Sequence, residues 1–120
     1  MLAGEALQRF HLDAAARLAS HGLLQIHTLR LGGAIIAAQY NLRRGPRVYF
    51  YLTGFDPAYA RYSPGMALLA ASIRRAIEDG AEQYDFLRHR EDYKYQWGAR
   101  DRVNRKLLIS HSAVAARDVA

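Results

Sequence analysis

Two short turn signals divide residues 23–52 into three consecutive strand-like segments, and this feature constrains the fold more than any other. Gly32-Gly33 has the length and composition of a two-residue hairpin turn between residues 23–31 and residues 34–42. Arg43-Arg44-Gly45-Pro46 is a second turn signal, and residues 48–52 follow it. The pattern predicts an antiparallel meander. Its third strand is apolar or aromatic on both faces, so we expect it to lie centrally.

A helix is predicted on each side of this meander. The first ends at Gly22, and the second begins with Ser63 as N-cap and Pro64 at its first position and ends at Gly80. The apolar stripe of the first helix comprises Leu7, Phe10, Ala14 and Leu18. The apolar face of the second comprises Met66, Leu69, Ala70, Ile73, Ala76 and Ile77.

Three shorter elements complete the chain. Residues 84–87 are predicted to form a short buried strand, residues 91–97 a short helix, and residues 105–110 a last strand. A meander followed by a helix that returns to a further strand predicts an α+β fold. Its sheet is mixed and largely antiparallel, with flanking helices. Because 120 residues suit one core, we expect residues 1–120 to form a single domain.

The composition excludes several classes of protein. The chain has no cysteine, and its five histidines lack the three- or four-residue spacing of a helical metal site, so no metal is expected. No apolar run approaches the roughly 20 residues that span a bilayer, and no signal-like segment begins the chain, which favours a cytoplasmic protein. The net charge of +6 favours an anionic ligand, although a compositional bias toward arginine explains it equally well.

Three ordered motifs carry a resemblance to a known family. They are YLTGFDPAYARYSPG at residues 51–65, YDFLR at residues 84–88 and YKYQWG at residues 93–98. Together they resemble the CelD-like (cellulose biosynthesis) branch of the GNAT acetyltransferases over residues 23–109. The resemblance implies a sheet that splays between its fourth and fifth strands, with acyl-CoA in the gap. It also implies that the first strand and helix of the complete fold are missing.

The start of the second helix is the candidate cofactor site. Free N–H groups and the helix dipole at such a point bind phosphate, although Ser-Pro-Gly also begins helices that bind nothing. The resemblance implies that residues 48–52 are the fourth strand and residues 63–67 the loop that holds the pyrophosphate of acetyl-CoA or another acyl-CoA. The family pattern has Gln or Arg three residues before the glycine, whereas here Tyr62 stands there and Arg61 comes one place early. The candidate cofactor-binding residues are Arg61, Tyr62, Ser63, Gly65, Met66 and Ala67.

The candidate catalytic residues lie later in the chain. Asp85 is a candidate base, because partial burial in an apolar strand disfavours a charged carboxylate; a structural carboxylate bonded to nearby backbone is the alternative. The resemblance implies that Tyr93, or else Tyr95, protonates the CoA sulfur. The alternative is that these tyrosines only pack against neighbouring side chains. Residues 93–98 are also similar to the aromatic-lysine-glycine ending of Fem-type peptidyltransferases, which implies a role for Lys94 at the reacting group. A solvated lysine is the alternative.

Three functions remain open on the sequence. The resemblance implies an acyl-CoA-dependent N-acyltransferase that acts on an amine, for example of a polysaccharide or cell-envelope precursor. A Fem-like enzyme would instead take aminoacyl-tRNA, and its binding would weaken steeply with salt; otherwise a nucleic-acid partner is not expected. The third possible function is that of a non-catalytic remnant, which binds CoA or only dimerises. A homodimer is expected, because the missing elements would leave a sheet edge and an apolar face open.

Overall fold

The computed structural model describes residues 4–111, which form two compact units divided between His89 and Arg90. The first unit contains the sheet and two long helices, and the second contains one short helix. The elements are α1 (Glu5–Ser20), β1 (Leu24–Leu31), β2 (Ala34–Arg44), β3 (Arg47–Phe55), a 3₁₀ helix (Pro57–Tyr62), α2 (Pro64–Glu78), β4 (Gln83–Asp85) and α3 (Asp92–Gln96).

The sheet has the strand order β1-β2-β3-β4. β1, β2 and β3 pair antiparallel, whereas β4 runs parallel to β3. The first hairpin turns at Gly32 and Gly33, whose φ angles of 58° and 86° need residues without a Cβ atom. This topology confirms the mixed, largely antiparallel α+β sheet and the central position of β3.

The parallel pairing of β3 with β4 is short. It joins Arg47 to Gln83, Val48 to Tyr84 and Tyr49 to Asp85. β3 continues to Phe55, so its residues 50–55 have no strand partner on this side within the described sheet. The two strands therefore stay together at one end only, and the edge of β3 opens beyond Tyr49.

The two long helices pack on opposite faces of the sheet. On β2, Gln39 bonds Ser72 of α2, whereas the next residue, Tyr40, has a ring contact with His11 of α1. Successive strand residues point to opposite faces. We call these the α2 face and the α1 face.

Hydrophobic burial is concentrated on the α2 face. The buried apolar side chains of α2 and the strands beneath it include Ala37, Val48, Phe50, Leu68, Leu69 and Ala76. The predicted apolar face of α2 is correct at Leu69 and Ala76 but wrong at Met66, Ala70 and Ile77, which are exposed. The polar Ser72 is buried instead. The helix is rotated from the predicted orientation because Ser72 meets polar partners on the sheet.

The first helix is confirmed, but its predicted stripe is partly wrong. Phe10 is 60% exposed, whereas the neighbouring His11 is buried. The His11 ring can enter the interior because both of its nitrogens have hydrogen-bond partners there, Leu7 O and Tyr51 Oη. Satisfied polar atoms thus decide which side of α1 faces the sheet.

The second unit contains α3, as predicted, but not the predicted last strand. Residues 105–110 have no regular secondary structure, and the side chains of Leu107 and Ile109 are exposed. Alternating apolar residues favour a strand only where a neighbouring strand supplies backbone hydrogen bonds. Among residues 4–111, no helix is long and apolar enough to cross a membrane.

Candidate active site

The start of α2 presents backbone N–H groups. Pro64 has none, and Ala67 donates to Ser63 O at 3.1 Å. Between them, the N–H groups of Gly65 and Met66 bond to no acceptor within residues 4–111. α2 has 15 residues, so its dipole adds positive potential at this end. An anion can therefore take two backbone hydrogen bonds here.

Ser63 stands at the predicted N-cap position, but its side chain does not cap the helix. Its backbone is left-handed, with φ 49° and ψ 54°, and no side-chain capping hydrogen bond forms. The predicted side-chain cap is therefore wrong, because N-cap hydroxyls reach the helix from an extended backbone. This left-handed residue joins the 3₁₀ helix to α2, and strain of this kind is frequent at functional sites.

Space and charge around Gly65 suit a bulky anion. A Cβ atom added at Gly65 would meet only Phe55 Cδ1, at 3.8 Å, so nothing in the described fold fills this point closely. Arg61 is exposed, and its guanidinium lies 4.8 Å from the Tyr62 ring centroid and donates to Tyr62 Oη. Arg61 thus supplies a cation three residues before the helix begins.

A β-bulge in β3 marks the place where the sheet opens. Tyr40 pairs with Leu52 but the next residue, Asn41, pairs with Phe50, so Tyr51 is the extra residue. Tyr51 comes two residues after Tyr49, the last residue that pairs with β4. Bulges bend a strand and re-aim a side chain, and they are common beside active sites.

Tyr51 is hydrogen-bonded to a buried histidine. His11 Nδ1 lies 2.9 Å from Leu7 O, which can only accept, so Nδ1 carries the proton. With the proton on Nδ1, Nε2 is left to accept from the Tyr51 hydroxyl, which lies 3.1 Å away. Tyr40 packs edge-on against both rings. Burial is the main cause that raises the pKa of Tyr40, and the neighbouring Tyr51 is the second cause.

A polar network fills the opposite, α2 face. Ser72 Oγ bonds Gln39 Nε2 at 2.7 Å, Asn41 Nδ2 at 2.9 Å and Tyr84 Oη at 2.9 Å. Gln39 Nε2 also bonds Asn41 Oδ1 and Tyr84 Oη. Burial raises the pKa of Tyr84, and its three hydrogen bonds oppose that shift. The network joins α2, β2 and β4 and so fixes the helix that carries Gly65.

Asp85 ends β4, and its carboxylate accepts a hydrogen bond from Leu87 N at 2.7 Å. This is the backbone contact that the structural alternative for Asp85 predicted. By its pairing with Tyr49, Asp85 lies on the α1 face, the face that also carries Tyr51. Asp85 and Tyr51 therefore lie on the same face of the sheet, on either side of the opening.

The second unit contains the other two predicted catalytic residues. Lys94 is only 5% exposed, and its Nζ lies 3.2 Å from Glu91 Oε1 and 5.9 Å from the Tyr93 ring centroid. The solvated alternative for Lys94 is therefore wrong. Tyr95 donates to Asp101 at 2.6 Å, and this hydrogen bond to a carboxylate raises the pKa of Tyr95.

Comparison with known proteins gives the family. The family model described as "Acetyltransferase (GNAT) domain" matches residues 1–95. The chain belongs to the GNAT acetyltransferase family. It is thus an N-acetyltransferase that uses acetyl-CoA. No protein of curated function matches the sequence.

Solved structures with the same fold are acetyltransferases too. The aminoglycoside acetyltransferase meta-AAC0020, from an uncultured soil metagenomic sample and in complex with sisomicin, is 17% identical, with a TM-score of 0.58 over 82% of this chain and 73% of that one. AAC(6')-Iy with a bisubstrate analogue, CoA-S-monomethyl-acetylneamine, is 14% identical, with a TM-score of 0.62 over 93% and 85%. AAC(6')-Iy was also solved in complex with CoA, and it matches with a TM-score of 0.54 over 88% of each chain. These likenesses confirm the fold.

The α1 face also carries a cluster of side chains that the sequence did not predict. His11, Tyr40 and the bulged Tyr51 meet on the α1 face. The only signal for them was the unusual placement of His11 beside an apolar stripe and of Tyr51 in a strand with two apolar faces. Their contacts join residues 40 positions apart along the chain, so periodicity within one element does not reveal them.

Proposed function

We propose that this acetyltransferase transfers the acetyl group of acetyl-CoA to an amine of a sugar, as in a precursor of polysaccharide or cell-envelope synthesis. The observation that carries this proposal is the opened edge of β3 beside the start of α2. Residues 50–55 extend over about 20 Å at roughly 3.3 Å per residue. An extended pantetheine arm can pair with the backbone there as a strand would.

The cofactor's pyrophosphate is assigned to the start of α2 in this proposal. The unbonded N–H groups of Gly65 and Met66, the exposed Arg61 and the helix dipole all favour an anion. Tyr62, Ser63 and Ala67 complete the turn around it. The donor itself supplies an activated thioester, so the protein's part is to position it and to move protons.

The catalytic roles proposed from the sequence remain with three residues. Asp85 is the candidate carboxylate for the amine's proton, since it lies on the α1 face at the end of β4. Tyr93 is the candidate acid for the departing thiolate. Lys94 is buried and has a carboxylate partner, which supports a more specific role than that of a solvated surface lysine.

The charge of the chain favours one class of acceptor over another. The two aminoglycosides that the structural neighbours hold, sisomicin and the neamine analogue, are polyamines. A chain with a net charge of +6 attracts an acceptor with one amine on a neutral or anionic sugar more strongly than it attracts a polycation. Glucosamine should therefore be acetylated more efficiently than sisomicin.

Calorimetry with CoA and acetyl-CoA tests the cofactor site through Gly65→Glu. A side chain fits there, and a carboxylate favours a helix N-terminus, so the fold should persist while the affinity for CoA falls at least about tenfold by repulsion of the diphosphate. The matched control is Ala70→Glu, on an exposed position of the same helix. Equal affinities in the wild type and Gly65→Glu would place the pyrophosphate elsewhere.

A further inference from the structure

The α1 face carries a proton-accepting pair at the point where the sheet opens. Tyr51 is the bulged residue of β3, it is 41% exposed, and its hydroxyl reaches a histidine that is 8% exposed. The pair therefore joins a partly exposed side chain to a buried one. Such an arrangement can carry a proton inward.

The hydrogen bonds fix the direction of proton movement. Leu7 O accepts from His11 Nδ1, so the basic lone pair of the neutral imidazole is on Nε2, facing the tyrosine. The ring also stacks on Tyr51, with centroids 5.8 Å apart, which holds both groups in place. A nitrogen base whose tautomer is fixed by a carbonyl behind it is the arrangement that general base catalysis requires.

We propose that Tyr51 accepts a proton from the acceptor amine while passing its own hydroxyl proton to His11 Nε2. The inference rests on the acetyl transfer proposed above and assigns the amine's proton to Tyr51 in place of the sequence candidate Asp85. As the amine nitrogen bonds to the thioester carbon, its N–H proton goes to Tyr51 Oη, and His11 becomes an imidazolium. The C–S bond then breaks, and the CoA thiolate takes its proton from the candidate acid proposed above. After the amide and CoA leave, the imidazolium releases its proton to water through Tyr51, and the acid takes a proton from water.

The position of Tyr51 relative to the proposed donor supports this role. Tyr51 follows the last residue paired with β4 by two positions, so it lies at the closed end of the edge that the pantetheine arm would line. The start of α2, where the pyrophosphate is assigned, follows the opposite end of β3. The thioester at the far end of the arm therefore comes to the bulge.

Nuclear magnetic resonance of the imidazole nitrogens tests the pair without any acceptor. At pH 8, the ¹⁵N shifts and long-range couplings should show His11 neutral and protonated on Nδ1. Tyr51→Phe should leave this tautomer in place and shift the Nε2 resonance, because its hydrogen bond is lost. A neutral His11 protonated on Nε2 would overturn the inference.

Kinetics test the proton transfer itself. Thiol release from acetyl-CoA is followed with glucosamine, with sisomicin and with water alone as acceptor. Tyr51→Phe should lower kcat about 100-fold while the Kd for CoA changes less than twofold. The matched control is Tyr49→Phe, a half-buried tyrosine of the same strand, which should retain activity. Equal kcat values in the wild type and Tyr51→Phe, or a wild type inactive in all three reactions, would overturn the inference.

Chemical rescue separates a proton acceptor from a structural histidine. His11→Ala should lose kcat as Tyr51→Phe does, and added imidazole should restore part of it in His11→Ala but not in Tyr51→Phe. Absence of rescue in a folded His11→Ala would contradict proton transfer to His11. If that variant does not fold, the kcat of Tyr51→Phe is the deciding measurement.

Asp85→Asn is measured in parallel, and a loss of kcat there with none in Tyr51→Phe would assign the base to Asp85. Failure of the wild type to bind CoA would instead refute the proposed function.

Discussion

The two faces of the sheet use their buried polar groups in different ways. On the α2 face, Gln39, Asn41 and Ser72 are almost completely buried and bond mainly to one another. On the α1 face, buried His11 bonds to Tyr51, whose side chain is partly exposed. A closed network stabilises one geometry, whereas a network that reaches solvent can exchange protons. The α2 face is therefore expected to contribute mainly to stability, and the proposed proton transfer lies on the α1 face.

The largest expected effect on stability compares one leucine from each helix. Leu69 of α2 is 3% exposed and Leu12 of α1 is 72% exposed. Leu69→Ala should lower the free energy of unfolding by about 2–5 kcal/mol, because it removes buried surface and leaves a cavity. Leu12→Ala should change it by less than about 0.5 kcal/mol. Urea denaturation measures both, and equal losses would contradict the division between the faces.

The buried network gives the next largest effect. Ser72→Ala removes the hydroxyl that Gln39, Asn41 and Tyr84 share. Two buried amides and a phenol then lose a partner, which should cost about 1–3 kcal/mol. Ser20→Ala is the matched control: its hydroxyl bonds a carbonyl at the exposed end of α1, so the change should be near zero. Unchanged stability in Ser72→Ala would show that the network contributes nothing net.

The smallest expected effect depends on pH and concerns His27. Burial, and then the guanidinium of Arg75, lower the pKa of His27 below 6.5, while Asp79 opposes this. Between the folded pKa and 6.5 the unfolded chain binds more protons, so stability should fall as pH drops through this window.

The change should stay well under about 1 kcal/mol, since solvent screens a half-exposed imidazole. Urea denaturation at pH 7.5 and 5.5 measures it, and His27→Gln should reduce the difference between the two values. His21→Gln, at an exposed histidine, should not. The same pH difference in His27→Gln and the wild type would assign it to other groups.

Local signals predicted the elements of the first unit because each depends on residues near one another in sequence. The Gly32-Gly33 hairpin, the start of α2 at Pro64 and its end before Gly80 all appear in the structure. The cofactor site stays a prediction, but the helix start on which it depends is a local feature, and α2 begins where the sequence predicted. The predicted strand at residues 105–110 is wrong because a strand needs a partner, which its own sequence does not specify.

The sequence by itself determined the order of the strands and long helices in the first unit and the start of the helix that carries Gly65, because backbone preferences and tight turns act over a few residues. Only the tertiary structure decided which side of each long helix is buried. There, Ser72 and His11 replaced the expected Met66 and Phe10, because distant polar partners satisfied them. The bulge at Tyr51 and its contact with His11 also depend on pairing between separate segments, and such pairing has no signature within either segment.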